Sequence, residues 1–247
     1  MDSAYGREYH ELYRRHWWWR SRERLILDRL HALRPSGDWG RILDVGCGDG
    51  LFFDELSRLG EVEGVEPDAG LVTPTGRWRG RIHVRPFDES FAPARRYGLI
   101  LFLDVLEHMA DPGAALRHAV SLLEPDGVVV VTVPASMRLW NSHDVLNRHF
   151  RRYERTELET LVRSAGLEVR GAAHAFHWAY FAKRMVHLVE RLFPAQPRSP
   201  RVPLEPVNRA LFVLTRLEQI ALRGSRLPFG SSLVLVAGPP QGGAPVS

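Results

Sequence analysis

Apolar residues recur along this chain in two rhythms. Between residues 7 and 34, Tyr9, Leu12, Tyr13, Trp17, Leu25, Leu27, Leu30 and Leu33 stand at helical spacing among Arg and Glu, which predicts an amphipathic helix, broken once. After the turn residues Pro35 to Asp38, short apolar runs take over: Arg41 to Val45, a run ending at Val65 and Glu66, Ile82 to Val84, Leu99 to Leu103, and Val128 to Val133. Runs without polar alternation are what strands show when helices cover both faces of a parallel sheet. Helices are predicted over Leu51 to Leu59 and Pro112 to Leu123, so strand and helix alternate from residue 41 to residue 133. That alternation predicts a doubly wound α/β fold.

The pattern changes beyond residue 133. A polar stretch, Trp140 to Tyr153, precedes a helix with Thr156 as N-cap, Glu159 three residues on and a stop at Gly166. Leu167 to Ala172 and Ser232 to Ala237 complete a seven-stranded, Rossmann-like sheet, with a helical insertion between strands 6 and 7: helices over Phe176 to Phe193 and Val207 to Leu222, joined by a Pro/Arg linker. The predicted division is an N-terminal helical lid (1–36), a core (37–175 and 230–238), the insertion or cap (176–229) and a disordered tail (239–247). The lid follows from Trp17, Trp18 and Trp19, which cannot all face one side of a helix; one that leaves the core can close over a site. The insertion combines an apolar stripe with Arg184, Arg191, Arg198, Arg201, Arg209, Arg216 and Arg223. Such helices cap a substrate, pair two subunits into a homodimer, or lie on an anionic membrane surface.

Composition narrows the class. The 247 residues carry a formal charge of +4, yet only one of the 33 basic residues, Lys183, is lysine, and no nucleic-acid-binding motif accompanies the charge. The single cysteine, Cys47, excludes an internal disulfide, and the charged first fifteen residues do not read as a signal peptide. A cytoplasmic protein with a small-molecule partner and no nucleic acid is expected.

The chemistry begins at Asp44-Val-Gly46-Cys-Gly48-Asp-Gly50, a glycine loop between a predicted strand and helix. Glu66 follows 20 residues after Gly46 at the end of the next strand, where a carboxylate can accept both hydroxyls of a ribose. A nicotinamide-binding loop spaces its glycines G-x-G-x-x-G for a pyrophosphate; this one reads G-x-G-x-G, and Asp44 and Asp49 favour a cationic ligand. The chain here resembles the class I S-adenosylmethionine-dependent methyltransferases, through Ile42 to Gly50, Gly64 to Asp68, Tyr97 to His108 with Asp111-Pro112, and Leu122 to Gly127. It resembles more loosely a bacterial small-molecule subgroup, through His16-Trp-Trp18, His149-Phe-Arg-Arg-Tyr153 and Pro228-Phe-Gly-Ser-Ser232. It departs at Gly98, where relatives often carry Asp, a change expected to affect packing.

The resemblance implies S-adenosyl-L-methionine as cofactor. Asp44 with the Gly46, Cys47 and Gly48 backbone would hold the methionine part, Glu66 the ribose with Pro67 beside it, Asp88 after Phe87 the adenine amino group, and Leu103 or Asp104 the amino end. Cys47 reads as a small packing residue within the loop. Methyl transfer is an in-line displacement aided by a base, for which the candidates are His16, His108, His143 and His149, with His143, next to Asp144, ranked first. No metal is assigned, although Asp104, Glu107 and His108 share the spacing of the metal site of ubiquinone-pathway O-methyltransferases. The expected activity is small-molecule, O-directed methylation; the alternatives are a nucleotide-dependent oxidoreductase and a catalytically silent partner protein.

Overall fold

The computed structural model describes residues 10–34, 38–192 and 200–240. Seven strands form one sheet: β1 (Arg41–Val45), β2 (Glu61–Glu66), β3 (Ile82–Val84), β4 (Tyr97–Leu103), β5 (Leu123–Pro134), β6 (Glu168–Ala175) and β7 (Ser232–Gly238). They lie in the order β3-β2-β1-β4-β5-β7-β6. Strands β1 to β5 are parallel as predicted, but β7 runs antiparallel to both β5 and β6, so the sheet is mixed. Antiparallel neighbours need no crossover, which frees the β6–β7 connection to remain at one end of the sheet. Ser232 pairs with both Pro134 and Ala175, so the insertion leaves and rejoins at the carboxyl ends of the parallel strands, where such sheets bind ligands.

Both faces of the sheet are buried, which explains the unbroken apolar runs. Leu43, Val45, Ile100, Phe102, Val129 and Val131 pack with α3 (Pro112–Leu122) and α5 (Arg155–Ser164) through Leu116, Ala119, Leu158 and Val162. Their strand neighbours Ile42, Leu99, Leu101, Val128 and Val130 turn to the other face, against Ile26 and Leu30 of α1 (Trp17–Leu33) and Phe53 and Leu56 of α2 (Phe53–Leu56).

The predicted helix over 51–59 shrinks to α2, with turns on both sides. Residues 10–15 are helical, and the single break falls at His16, whose Nδ1 accepts the Trp18 N–H at 3.1 Å. The capping assignment on α5 is corrected by two residues: Glu154 is the N-cap and its N–H donates to Glu157 at 3.0 Å, while Glu159 pairs with Arg155 and Arg163. Gly98 answers to packing, since a β-carbon there would strike the Trp39 carbonyl. The sixth strand extends to Ala175, and the tail from 241 lies outside the described residues.

The insertion helices α6 (His177–Leu192) and α7 (Glu205–Ala221) join the N-terminal helix in one layer. Asn208, buried on α7, accepts the Trp17 N–H and donates to the Arg15 carbonyl, both at 2.8 Å, at the break before α1. Glu218 accepts the His177 and Trp178 N–H groups that open α6, and the Trp178 ring packs tilted against Trp17, centroids 5.2 Å apart. The outer faces stay apolar and exposed at Met185, Leu188, Leu192, Leu217 and Ile220. No helix among the described residues is long and apolar enough to cross a membrane.

Candidate active site

β1 ends at Val45, and the chain turns through Gly46 with φ +71°, a conformation that favours glycine. A β-carbon there would sit 2.7 Å from Val105, so the tight turn also needs the missing side chain. The turn carries Gly48 back to Glu66, whose carboxylate accepts from Gly48 N–H at 3.0 Å and Asp68 N–H at 2.9 Å. Both oxygens are thereby fixed and keep lone pairs for further donors. Burial holds the Glu66 pKa above its ordinary value, against the pull of the Asp68 and Gly48 amides. Beneath the loop, burial raises Asp44 to about 7; Arg22 opposes the rise and Glu66 adds to it. A cation arriving at this end would favour the ionised form of both carboxylates.

A cavity of about 450 Å³ opens over the loop, within the roughly 300–1,000 Å³ typical of small-molecule sites. Gly46, Cys47, Gly48, Glu66, Pro67, Phe87, Leu103 and Asp104 line it, as do Trp18, Trp19 and Arg22 of α1. Asp44 sits behind this lining, and Asp88 lies outside it. Exposed at the surface, Asp88 accepts from Ser90 N–H at 2.9 Å and Ser90 hydroxyl at 2.5 Å, bonds that hold its pKa below the ordinary value. Burial, then Asp44 and Glu66, pushes the Cys47 thiol up, so it remains protonated and packs within the loop.

Three of the four candidate bases, His108, His143 and His149, line the same cavity, whereas His16 is outside the lining and caps α1 instead. The carboxylate beside His143 in sequence serves another histidine: Asp144, fully buried in α4 (Ser142–Leu146), takes His149 Nδ1 at 2.9 Å. Arg152 adds two bonds of 2.8 Å from Nε and Nη2, and the Asn141 N–H donates at 2.9 Å. Burial would raise the Asp144 pKa, but the bonds from His149 and Arg152 outweigh it and the group is held well below the ordinary carboxylate range.

Asn147 Nδ2 donates to the His143 carbonyl at 2.8 Å, which fixes the amide orientation; the same nitrogen lies 3.0 Å from His143 Nε2. Nε2 therefore accepts, and the ring proton stays on Nδ1. Burial and the charge of Lys183 lower the His143 pKa to about 4, which makes this ring a weak base and a standing donor.

Asp104 leaves β4 with φ +58° and is held by its N–H to the Thr132 carbonyl and by a 2.5 Å pair with Arg22 Nε. It is absent from the one group of three metal-type ligands found among the described residues, where His149 joins Glu107 and His108 with ligand atoms within 4.8 Å of one another. Glu107 is buried, its Oε2 lacks a hydrogen-bond partner, and burial followed by the Asp104 charge drives its pKa well upward. Lys183 of α6 also lines the cavity. Sequence reasoning noted it only as the sole lysine; nothing local placed it in the site, because it arrives on the insertion.

Residues 18–171, more than half of the chain, match the family described as a methyltransferase domain. The ubiquinone biosynthesis O-methyltransferase of Rhodopseudomonas palustris strain HaA2 is 35% identical over 98 residues, 37% of this chain and 38% of that protein. The corresponding protein of Azorhizobium caulinodans is 34% identical over 108 residues, 41% and 42% of the two chains. The match thus spans about two fifths of these curated relatives. Among solved structures, a Haloferax volcanii methyltransferase in complex with the Trm112 activator aligns with a TM-score of 0.59 at 18% identity over 98% of this chain and 96% of that one. The N-methyltransferase NodS of Bradyrhizobium japonicum, bound to S-adenosyl-L-homocysteine, gives 0.54 at 15% identity over 90% and 88%. At these identities the likeness is one of fold. The strand order is that of class I methyltransferases, the glycine loop and Glu66 fit the family's cofactor, S-adenosyl-L-methionine, and the oxidoreductase alternative gives way. The chain belongs to the methyltransferase-domain family and has the class I S-adenosylmethionine-dependent methyltransferase fold.

Proposed function

We propose that this protein methylates an oxygen of a small cytoplasmic acceptor, with His149 as the base. The observation that carries the reading is the Asp144–His149 pair, 2.9 Å apart, facing the same cavity as the glycine loop and Glu66. When bound, S-adenosylmethionine supplies a methyl group activated on sulfur, so the protein need only bind, align and deprotonate. Glu66 accepts the ribose hydroxyls with lone pairs that its two backbone donors leave over. Asp44 and the loop backbone answer the cationic methionine end, and Asp88 is assigned to accept from the adenine amino group. Asp144 accepts from His149 Nδ1, leaving Nε2 to take a hydroxyl proton, and steadies the imidazolium that forms. His143 donates toward the acceptor from Nδ1, and His108, its ring edge-on to His149 at 4.6 Å, completes the wall. Trp18, Trp19 and Arg22 exclude water as the lid, with α6 as the acceptor-side cap. The oxygen acceptor accords with the names of the curated relatives.

The partnerless Glu107 Oε2 favours a second reading, in which Glu107, His108 and His149 hold a divalent cation that polarises the acceptor oxygen. Both readings are tested by incubating the protein with methyl-labelled S-adenosylmethionine and a panel of phenols, alcohols, carboxylic acids and amines, before and after chelation, with products read by mass. The first predicts labelled ethers or esters that survive chelation, the second ethers or esters lost on chelation. Labelled amines alone, or no transfer at all, contradict O-methylation, and the latter favours a silent partner protein.

A further inference from the structure

Two charged side chains of the acceptor half, Glu107 and Lys183, stand outside its ion pairs, and burial followed by the Asp104 charge drives the Glu107 pKa well upward. Arg22 is matched by Asp104 at 2.5 Å, and Arg152 by Asp144 at 2.8 Å. Asp144 is saturated: besides Arg152 it serves His149 and the Asn141 N–H. Lys183 projects from α6 into the cavity, and no hydrogen bond or ion pair joins its Nζ to any described residue. Its electrostatic neighbours are the already committed Arg152, Asp144 and Asp104; burial, then the Arg152 charge, lowers its pKa to about 8 against the pull of the two carboxylates. At neutral pH it is still a cation. A second group in the same cavity also lacks its partner: Ser231 Oγ is buried with no hydrogen bond. The His143 ring, held with its proton on Nδ1, is a further donor in this wall. A cation with no bonded anion, in a wall that also offers the Ser231 hydroxyl and the His143 Nδ1 proton, is the complement of an oxyanion.

We propose that Lys183 is a specificity-determining residue that binds a carboxylate or phosphate on the acceptor, separate from the oxygen that receives the methyl. The choice of lysine suits this task, because a single ammonium on a flexible stem serves as a point charge where 32 other basic positions use the guanidinium fork. The inference rests on reading the cavity as cofactor half and acceptor half, and deepens that reading by naming the acceptor as an anion.

The test is calorimetric binding to the full chain saturated with S-adenosylhomocysteine, using protocatechuate, its primary amide and phenyl phosphate as probes, with Lys183→Met and Lys183→Arg variants. The wild type is expected to bind at least one anionic probe about tenfold or more tightly than the amide, as a buried charge-assisted bond requires. Lys183→Met should erase that difference while leaving affinity for the amide and for S-adenosylhomocysteine unchanged, and Lys183→Arg should retain part of it. The probe that shows the difference distinguishes carboxylate from phosphate. Equal binding of all three, no binding of either anion, or a difference that survives Lys183→Met overturns the proposal. Because binding is read without transfer, Lys183-dependent anion binding stands even if no oxygen is methylated. Equal methylation of neutral and anionic acceptors would sink the proposal alone.

Discussion

Replacing Asp144 by Asn removes one charge from the most tightly bonded side chain in the site. Asp144 is 0% exposed and Arg152 3%, and four donors converge on the two carboxylate oxygens at 2.8–2.9 Å. An amide nitrogen must then face one of these donors, and the guanidinium is left buried without its counter-charge. Breaking a buried pair in this way costs about 3–5 kcal/mol. At roughly 2–4 °C per kcal/mol for a chain of this size, Tm should fall by about 6–20 °C. Thermal unfolding of Asp144→Asn, Arg152→Met and the double variant gives the coupling: the double variant should be more stable than the sum of the single losses predicts. The pH dependence has a definite sign. Since the folded Asp144 pKa is depressed, its stabilisation is complete above the ordinary carboxylate range and is lost as pH falls toward the folded value. The gap between wild type and Asp144→Asn should therefore narrow below about pH 4. A Tm within 2–3 °C of wild type, roughly 1 kcal/mol, or strictly additive variants, would refute the claim that this network is a buried ion pair.

Three further outcomes are expected. Glu66→Ala should weaken S-adenosylmethionine at least about tenfold in a calorimetric titration, because each charge-assisted bond to a ribose hydroxyl is worth about 1.5–3 kcal/mol. His149→Gln should lower turnover by about 10²-fold or more with cofactor affinity retained, whereas His143→Gln should act mainly on acceptor KM, since His143 serves as a donor. Burial lowers His16 and His143 to about 4, so between about pH 6.5 and 4 the unfolded chain binds protons that the native state refuses. Stability should fall as pH drops through that window, and His16→Gln should flatten the slope seen in denaturant titrations.

The half of the cavity built on the glycine loop was legible in the sequence because its determinants are local. The turn at Gly46 and the carboxylate 20 residues on are both set by one β-α-β unit, and the cavity lining follows that reading at Gly46, Cys47, Gly48, Glu66, Pro67, Phe87, Leu103 and Asp104. The acceptor half was legible only as a set of residue types. Adjacency of His143 and Asp144 suggested a pair, but a helical turn points neighbours apart, and the carboxylate meets His149 five residues later. Lys183 was invisible as a site residue because its place depends on how the insertion rejoins the sheet at Ser232. The antiparallel β7 was likewise hidden, since an apolar run buried on both faces reads the same in either direction.

The account turns on one cavity holding the cofactor against Glu66 with its sulfur toward His149. A crystal structure with S-adenosylhomocysteine bound measures this directly. The expected result places both ribose hydroxyls within hydrogen-bond distance of the Glu66 carboxylate and the sulfur facing the wall formed by His149, His143 and Lys183. A ribose bound away from Glu66, or a sulfur directed away from that wall, would contradict the account.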